Sequence, residues 1–291
     1  MSLARALRVL AAAMILALAL AACSSDDSTE TDDASGSATS TADEAAGDDE
    51  EAAEEAAPAD LTLVSEGNLT VCTEAPYAPF EVEDPDSDTG FGGFDIDIVD
   101  EVATRLGLEL AVINTGFDAL TSGTAMASGT CDMAISAMTI TEEREENIDF
   151  SDPYYNAAQS LMVPADSGIT ALADVEGRLG VQSGTTGEAY ATENAPDTAE
   201  LVAFDAGADL FTALAANDIV GILQDLPVNI DRAQQDDSLS VVETYETDEE
   251  YGMAFEQDAN PELIEAINGA LSAMREDGTY DTIYDSYFSE S

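Results

Sequence analysis

The 291-residue chain contains no histidine, and its seven basic residues, all arginines, stand against 62 aspartates and glutamates. Each absence removes a class of chemistry. Without histidine there is no Ser-His-Asp triad, no imidazole base and no His-ligated zinc. Without lysine there is no Gly-Lys-Ser/Thr phosphate loop. The formal net charge of -55 opposes approach to nucleic acid and to anionic membrane surfaces, so neither is an expected partner. The acidity itself reads as a solvated surface, of the kind that suits a salt-rich habitat. With 45% hydrophobic residues, the chain still has material for a sizeable core in one or two domains.

One apolar run opens the chain. "MSLARALRVLAAAMILALALAAC" has a basic start at Arg5 and Arg8, an apolar stretch from Val9, and then Leu20-Ala21-Ala22-Cys23. The stretch falls short of the roughly 20 apolar residues that span a bilayer comfortably, so residues 1–23 read as a secretory signal. Leu-Ala-Ala-Cys resembles the bacterial lipobox, which implies cleavage before Cys23 and lipid attachment to its thiol. The mature protein is then expected outside the cytoplasm, held to the cell membrane by that lipid. Residues 24–60 are almost entirely Ala, Ser, Thr, Gly, Asp and Glu. Such a segment buries too little apolar surface to offset its ordering entropy and is expected to be disordered. As a tether it reaches roughly 35 Å.

Two cysteines remain, Cys72 and Cys131. In an oxidising compartment this even pair reads as a disulfide, with two buried thiols as the alternative.

From Leu61 onward strand and helix patterns alternate. "NLTVCT" reads as a strand, "FDIDIVDEVATRLG" as a helix with Ile96, Val99, Val102 and Ala103 on one face, and "LELAVINT" as the next strand. "FDALTSGTAMASG" reads as one helix and "CDMAISAM" as a third strand. A second set follows through "RLGVQ", "GEAYATENA", "LVAF", "DLFTALAAN", "IVGIL" and "PVNIDRAQ", and two helices close the chain. The pattern predicts an α/β protein with two mainly parallel sheets flanked by helices. In that architecture ligands sit beyond the carboxyl ends of the strands.

Arg144 is out of place electrostatically. Thr141 is a good N-cap, and Glu142 and Glu143 suit the first helical turn, but Arg144 then falls at the positive end of the helix. One reading is a surface arginine neutralising its glutamate neighbours. The other is a bidentate site for a carboxylate, made by the guanidinium with the free N–H groups of the helix start. "GVQSGTTGEAY" offers a second anion site, where Thr185 and Thr186 open a helix. In "ILQDLPV", Asp225 stands after a strand and before a proline-started helix, as an N-cap or as the partner of an ammonium. A cation and hydroxyls for a carboxylate, with an aspartate for an ammonium, are what a zwitterion requires.

These stretches, with "VCTEAPYAPFEV", "GFDIDIVDEVA", "CDMAISAMTITEEREENIDFSDPYY", "YGMAF" and "MREDGTYDTIYDSYF", resemble the bacterial extracellular solute-binding proteins of the polar amino-acid type. Those are the capture subunits of ABC importers, and the resemblance covers about Leu61 to Phe288. It implies a two-lobed periplasmic-binding-protein-like fold of type II with two hinge crossovers. Residues 61–155 and 251–291 would form one lobe, and 156–250 the other. It also implies a monomer that serves ABC transporter permease subunits, with no cofactor and no metal. Carried over residue by residue, Arg144, Thr186 and Thr139 would hold the ligand's α-carboxylate, and Asp225 with a carbonyl near Ala137 its α-ammonium. Tyr77 and Phe117 would sandwich the side chain, Glu74 would read its polar tip, and Ser136 and Gln182 would line the pocket beside Thr185.

The bland alternatives are core aromatics at 77 and 117 and a surface acid at 74. Glu74 is one methylene longer than the family's usual aspartate. The segment after Phe117 is longer than the commoner spacing, which would displace Phe117. A buried glutamate between two aromatics favours a cationic side chain such as Lys, Arg or ornithine over Gln. A dehydratase-like enzyme on the same fold, with Glu74 as general acid acting on a small carboxylic acid, is the alternative function.

Overall fold

The structure, a computed structural model, describes residues 61–288. The expected signal segment with its Cys23, and the acidic linker, lie outside the described residues. The chain first lays down β1 (Asn68–Thr73), the ribbon strands β2 (Val82–Glu83) and β3 (Phe91–Gly92), helix α1 (Phe94–Arg105) and β4 (Glu109–Asn114). Short helices α2 (Phe117–Thr121) and α3 (Thr124–Ala127), strand β5 (Met133–Ala134), the single-turn α4 (Glu142–Glu145) and β6 (Ile148–Phe150) follow. Strand β7 (Tyr155–Pro164) leads into a second set of β8 (Gly177–Gln182), α5 (Thr186–Asn194), β9 (Ala199–Phe204), α6 (Gly207–Ala215), β10 (Gly221–Asp225), α7 (Leu226–Gln235) and β11 (Leu239–Tyr251). Strand β12 (Ala254–Glu256) and helices α8 (Pro261–Asp277) and α9 (Thr279–Phe288) complete the chain.

Two five-stranded sheets result, ordered β4-β1-β5-β12-β6 and β11-β7-β10-β8-β9. In the first, β12 alone runs against its neighbours; in the second, β7 does. The expectation of two mainly parallel sheets holds, with one reversed strand in each. That strand is the one that enters its sheet just after the chain has crossed from the other. The two crossing strands pair with each other, from Tyr155 opposite Tyr251 to Pro164 opposite Leu239.

Each sheet is covered on both faces. On the first, α1 buries Phe94, Ile98, Val99 and Val102 against Leu69, Val71 and the α8 residues Leu263, Ile267 and Leu271. The other face holds Phe117, Leu120, Met126 and Ile148 around the Cys72–Cys131 disulfide. That bond closes a loop 59 residues long, a constraint on the unfolded chain that contributes about 2–4 kcal/mol. In the second sheet Leu161, Val163 and Leu223 face one cluster while Met162 and Ile222 face the other, the two-residue alternation of a strand.

Two local expectations are corrected. The stretch 117–129 is not one helix but two, broken at Gly123, which has φ +72. A Cβ there would stand 2.8 Å from Ile148 Cγ2, so the close approach of β6 and the backbone turn both require glycine. The strand read in "CDMAISAM" pairs over Met133–Ala134 alone. Beyond it the chain turns through Ala137, at φ 44, and enters the cleft between the sheets.

Candidate functional site

The carboxyl ends of β1, β5, β8 and β10 meet between the two lobes, where α/β sheets place their ligands. They enclose about 310 Å³, part of it open to solvent, lined by Glu74, Tyr77, Phe117, Ser136, Ala137, Thr139, Arg144, Gln182, Thr185, Thr186 and Asp225. Every candidate residue named from the sequence for this pocket therefore stands at one cavity.

Arg144 is delivered by its cap. Thr141 Oγ1 accepts from the Arg144 N–H at 3.2 Å, which fixes α4. The side chain then turns inward and is 7% exposed, so it does not neutralise the surface glutamates around it. Nη1 donates to Thr139 O at 2.6 Å and Nη2 to Gly184 O, across the cleft, at 3.0 Å. The guanidinium lies 5.3 Å from the centre of the Phe117 ring, a cation–π contact. Phe117 thus remains in the site despite the longer segment that follows it. No carboxylate comes within ion-pair distance of Arg144 among the described residues. Burial pulls its pKa down, against the opposing fields of Asp225 and Glu249.

Asp225 occupies the N-cap position of α7 but makes no cap bond. Its Oδ2 accepts from Tyr77 OH at 2.8 Å and its Oδ1 from Gln159 Nε2 at 2.6 Å. Burial first, and then the charge of Glu249, push its pKa up to about 6. The N-cap alternative is excluded, because the carboxylate points across the cleft to the other lobe.

Glu74 is held from two sides. Its N–H donates to Ser136 Oγ at 3.1 Å, and its Oε2 accepts from Gln182 Nε2 at 2.6 Å. Burial raises its pKa, partly offset by the bonds from Gln182 and the Gly207 N–H. Gly207 opens α6, and a Cβ there would stand 2.9 Å from Gln182 Oε1 and 3.0 Å from the Tyr77 ring. A side chain at that helix start would press on both the Gln182 amide and the Tyr77 ring. Thr185 spends its hydroxyl on the helix, accepting from Glu188 N–H at 3.1 Å and donating to Gln182 O at 2.8 Å.

The sequence reading missed two residues that organise these groups. Glu249 Oε2 accepts from Thr139 Oγ1 and from Thr186 Oγ1, each at 2.7 Å. Gln159 Nε2 donates to Glu249 Oε1 at 3.1 Å as well as to Asp225. Gln159 lies on β7 and Glu249 on β11, the crossing strands. The only sequence signal for Gln159 is a polar residue inside the apolar run "AAQSLMV"; Glu249 is hidden in the acidic stretch "ETDEEY". With Glu249 included, one buried cation faces three acids, Glu74, Asp225 and Glu249. No group of three or more Cys, Asp or Glu among the described residues is arranged to hold a metal ion.

The model of the bacterial extracellular solute-binding proteins, family 3, matches residues 69–290. The chain belongs to this family. Within it, the chain is 31% identical over 220 residues to the ABC transporter arginine-binding protein 1 of Escherichia coli K12, covering 74% of this chain and 88% of that one. It is 32% identical over 238 residues to the histidine-binding periplasmic protein of Salmonella typhimurium, covering 76% and 87%. Among solved structures, an ancestral arginine-binding protein bound to arginine superposes with a TM-score of 0.69 at 37% identity, covering 76% of this chain and 98% of that one. This solute-binding protein is a binding protein rather than an enzyme, as those relatives are.

Proposed function

We propose that this protein captures a polar amino acid outside the cytoplasm, with a cationic side chain preferred over glutamine, and delivers it to the permease of an ABC importer. The charge balance of the cavity carries this reading. Arg144 suits the α-carboxylate, with the Thr139 and Thr186 hydroxyls turning to it from Glu249, Asp225 suits the α-ammonium, and Glu74 a second positive group. An acidic side chain would add to an existing excess of negative charge. Relatives named for arginine and histidine support a basic side chain.

In this reading residues 61–155 with 251–291, and residues 156–250, form two lobes that close on the ligand about the paired crossing strands. Cleavage before Cys23 removes residues 1–22 of the lipoprotein signal, Cys23 carries the lipid, and 24–60 spaces the binding domain from the membrane. The binding domain works as a monomer with its permease.

The test is calorimetric titration with the twenty amino acids, ornithine and citrulline. Lysine, arginine or ornithine should bind most tightly, citrulline more weakly than arginine, and glutamate weakest of the polar set. Glutamate binding more tightly than arginine would overturn the charge assignment, and no binding by any of them would overturn the amino-acid reading.

A further inference from the structure

Two buried carboxyl groups stand behind the cavity wall, outside the set assigned to the ligand. Glu81, just before β2, and Asp95, in the first turn of α1, are both 0% exposed. Each uses one oxygen to hold the turn that follows β5. Glu81 Oε1 accepts from Ser136 Oγ at 2.5 Å, and that hydroxyl in turn accepts from the Glu74 N–H. Asp95 Oδ2 accepts from the Ala137 N–H at 2.8 Å and from Tyr154 OH at 2.9 Å. Ala137 has the left-handed backbone that alanine rarely adopts, so its surroundings must hold it there.

The other two oxygens, Glu81 Oε2 and Asp95 Oδ1, are buried and meet no N–H or O–H of any other residue. The two carboxyl groups bond each other, and two ionised carboxylates in contact repel strongly out of water. We propose that Glu81 and Asp95 share a single proton between these two oxygens, and that the pair acts as positioning residues for the Ser136–Ala137 wall of the site. The proposal rests on the reading of the cavity as an amino-acid site.

The surrounding charges agree. The titratable groups facing the pair are Glu74, Tyr77 and Tyr154, acids and phenols without a cation. Burial, followed by the field of Asp95, pushes Glu81 well above the carboxylate range, and burial pushes Asp95 up to about 7. The bond between the two groups favours one protonated and one ionised carboxyl over two carboxylates.

A shared proton makes a specific forecast for amide substitutions. Glu81→Gln replaces the O–H with an N–H directed at Asp95, and Asp95→Asn supplies an N–H from the opposite side. Either single change keeps one donor between the two oxygens. The double variant sets two amide N–H groups against each other. With arginine as the probe, Glu81→Ala should weaken binding by about tenfold and Glu81→Gln should recover most of that loss. Glu81→Gln/Asp95→Asn should bind at least about fivefold more weakly than the product of the single effects.

Melting temperatures of the same cycle, taken without ligand, should show the same non-additivity. Failure of the double variant to fold while both singles fold is that result in its extreme form. The pH profile separates positioning from a general structural role. From pH 7 to 10, wild-type affinity should fall more steeply than that of Glu81→Gln, since the arginine ammonium titrates equally in both. Additive amide effects, or superimposable pH profiles, would overturn the shared proton. If arginine fails to bind wild type, the amino-acid reading falls, and the melting cycle alone decides the shared proton.

Discussion

Asp225 ties affinity to pH in a way that can be worked out in advance. Its pKa stands at about 6 because burial and Glu249 disfavour the anion. An ammonium bound beside it reverses that preference and holds it ionised, so the first step of binding at low pH is loss of a proton. The apparent Kd is then multiplied by one plus the ratio of protonated to ionised Asp225. That factor is about 11 at pH 5 and about 1.1 at pH 7, which makes arginine bind about tenfold more weakly at pH 5. The sign for the fold itself is opposite. Because the folded chain holds this proton more tightly than the unfolded chain, the contribution is full below the ordinary aspartate range. It is lost as pH rises through about 6, an effect of about 3 kcal/mol that bound ligand offsets.

Titration calorimetry with arginine between pH 5 and 8, repeated in two buffers of different ionisation enthalpy, measures both the slope and the released proton. Asp225→Asn should bind weakly and lose the slope. An affinity that does not change from pH 5 to 7, or an Asn variant with the wild-type slope, would refute the reasoning.

Three further outcomes are expected. Arg144→Ala should weaken arginine binding by about 2–3 kcal/mol, and Arg144→Lys should lose most of that too, because an ammonium lacks the planar two-pronged contact; wild-type affinity in a folded Ala variant would remove Arg144 from the site. Glu74→Gln should cost lysine or arginine about 1.5–3 kcal/mol while sparing glutamine, and raised salt should slow association of the cationic ligands more than of glutamine; equal losses for both ligands would make Glu74 a wall rather than a charge reader. Cys23→Ser should move the protein out of the detergent phase in a partitioning assay without changing its affinity, and retention there would exclude the lipid anchor.

Arg144, Asp225 and the threonines at 185 and 186 were legible from local pattern, whereas Glu74, Tyr77, Phe117, Ser136, Ala137, Thr139 and Gln182 were legible only through the family resemblance. An arginine at the positive end of α4 has no local justification, and Asp225 precedes a proline that opens a helix. The threonines at 185 and 186 begin a helix after a strand and a Gly turn. Such conflicts point to function because the surrounding fold must compensate for them. Gln159 and Glu249 were not legible, because what buries them is the pairing of β7 with β11 across about ninety residues of chain. Within "ETDEEY" nothing local separates the one inward acid from its solvated neighbours. Asp95 was hidden differently, since an acid in a first helical turn is already accounted for by the helix dipole. The break at Gly123 required knowledge of Ile148 packing against it, which is again a contact distant in sequence.

The pairing of the crossing strands has a mechanical consequence. A two-stranded ribbon bends and twists as one body, and this one is irregular between Tyr245 and Glu249, where a bulge adds local twist. Glu249 sits at that irregularity and grips one hydroxyl from each lobe, Thr139 from the first and Thr186 from the second. In the lobe closure proposed above, spreading the lobes would pull on both grips at once, through a residue that belongs to the crossing ribbon itself. On the closure reading proposed above, the joint is a gauge of its own angle: a ligand in the cleft would alter the load on Glu249, and substitutions along 156–159 or 247–250 are expected to shift affinity without touching the ligand.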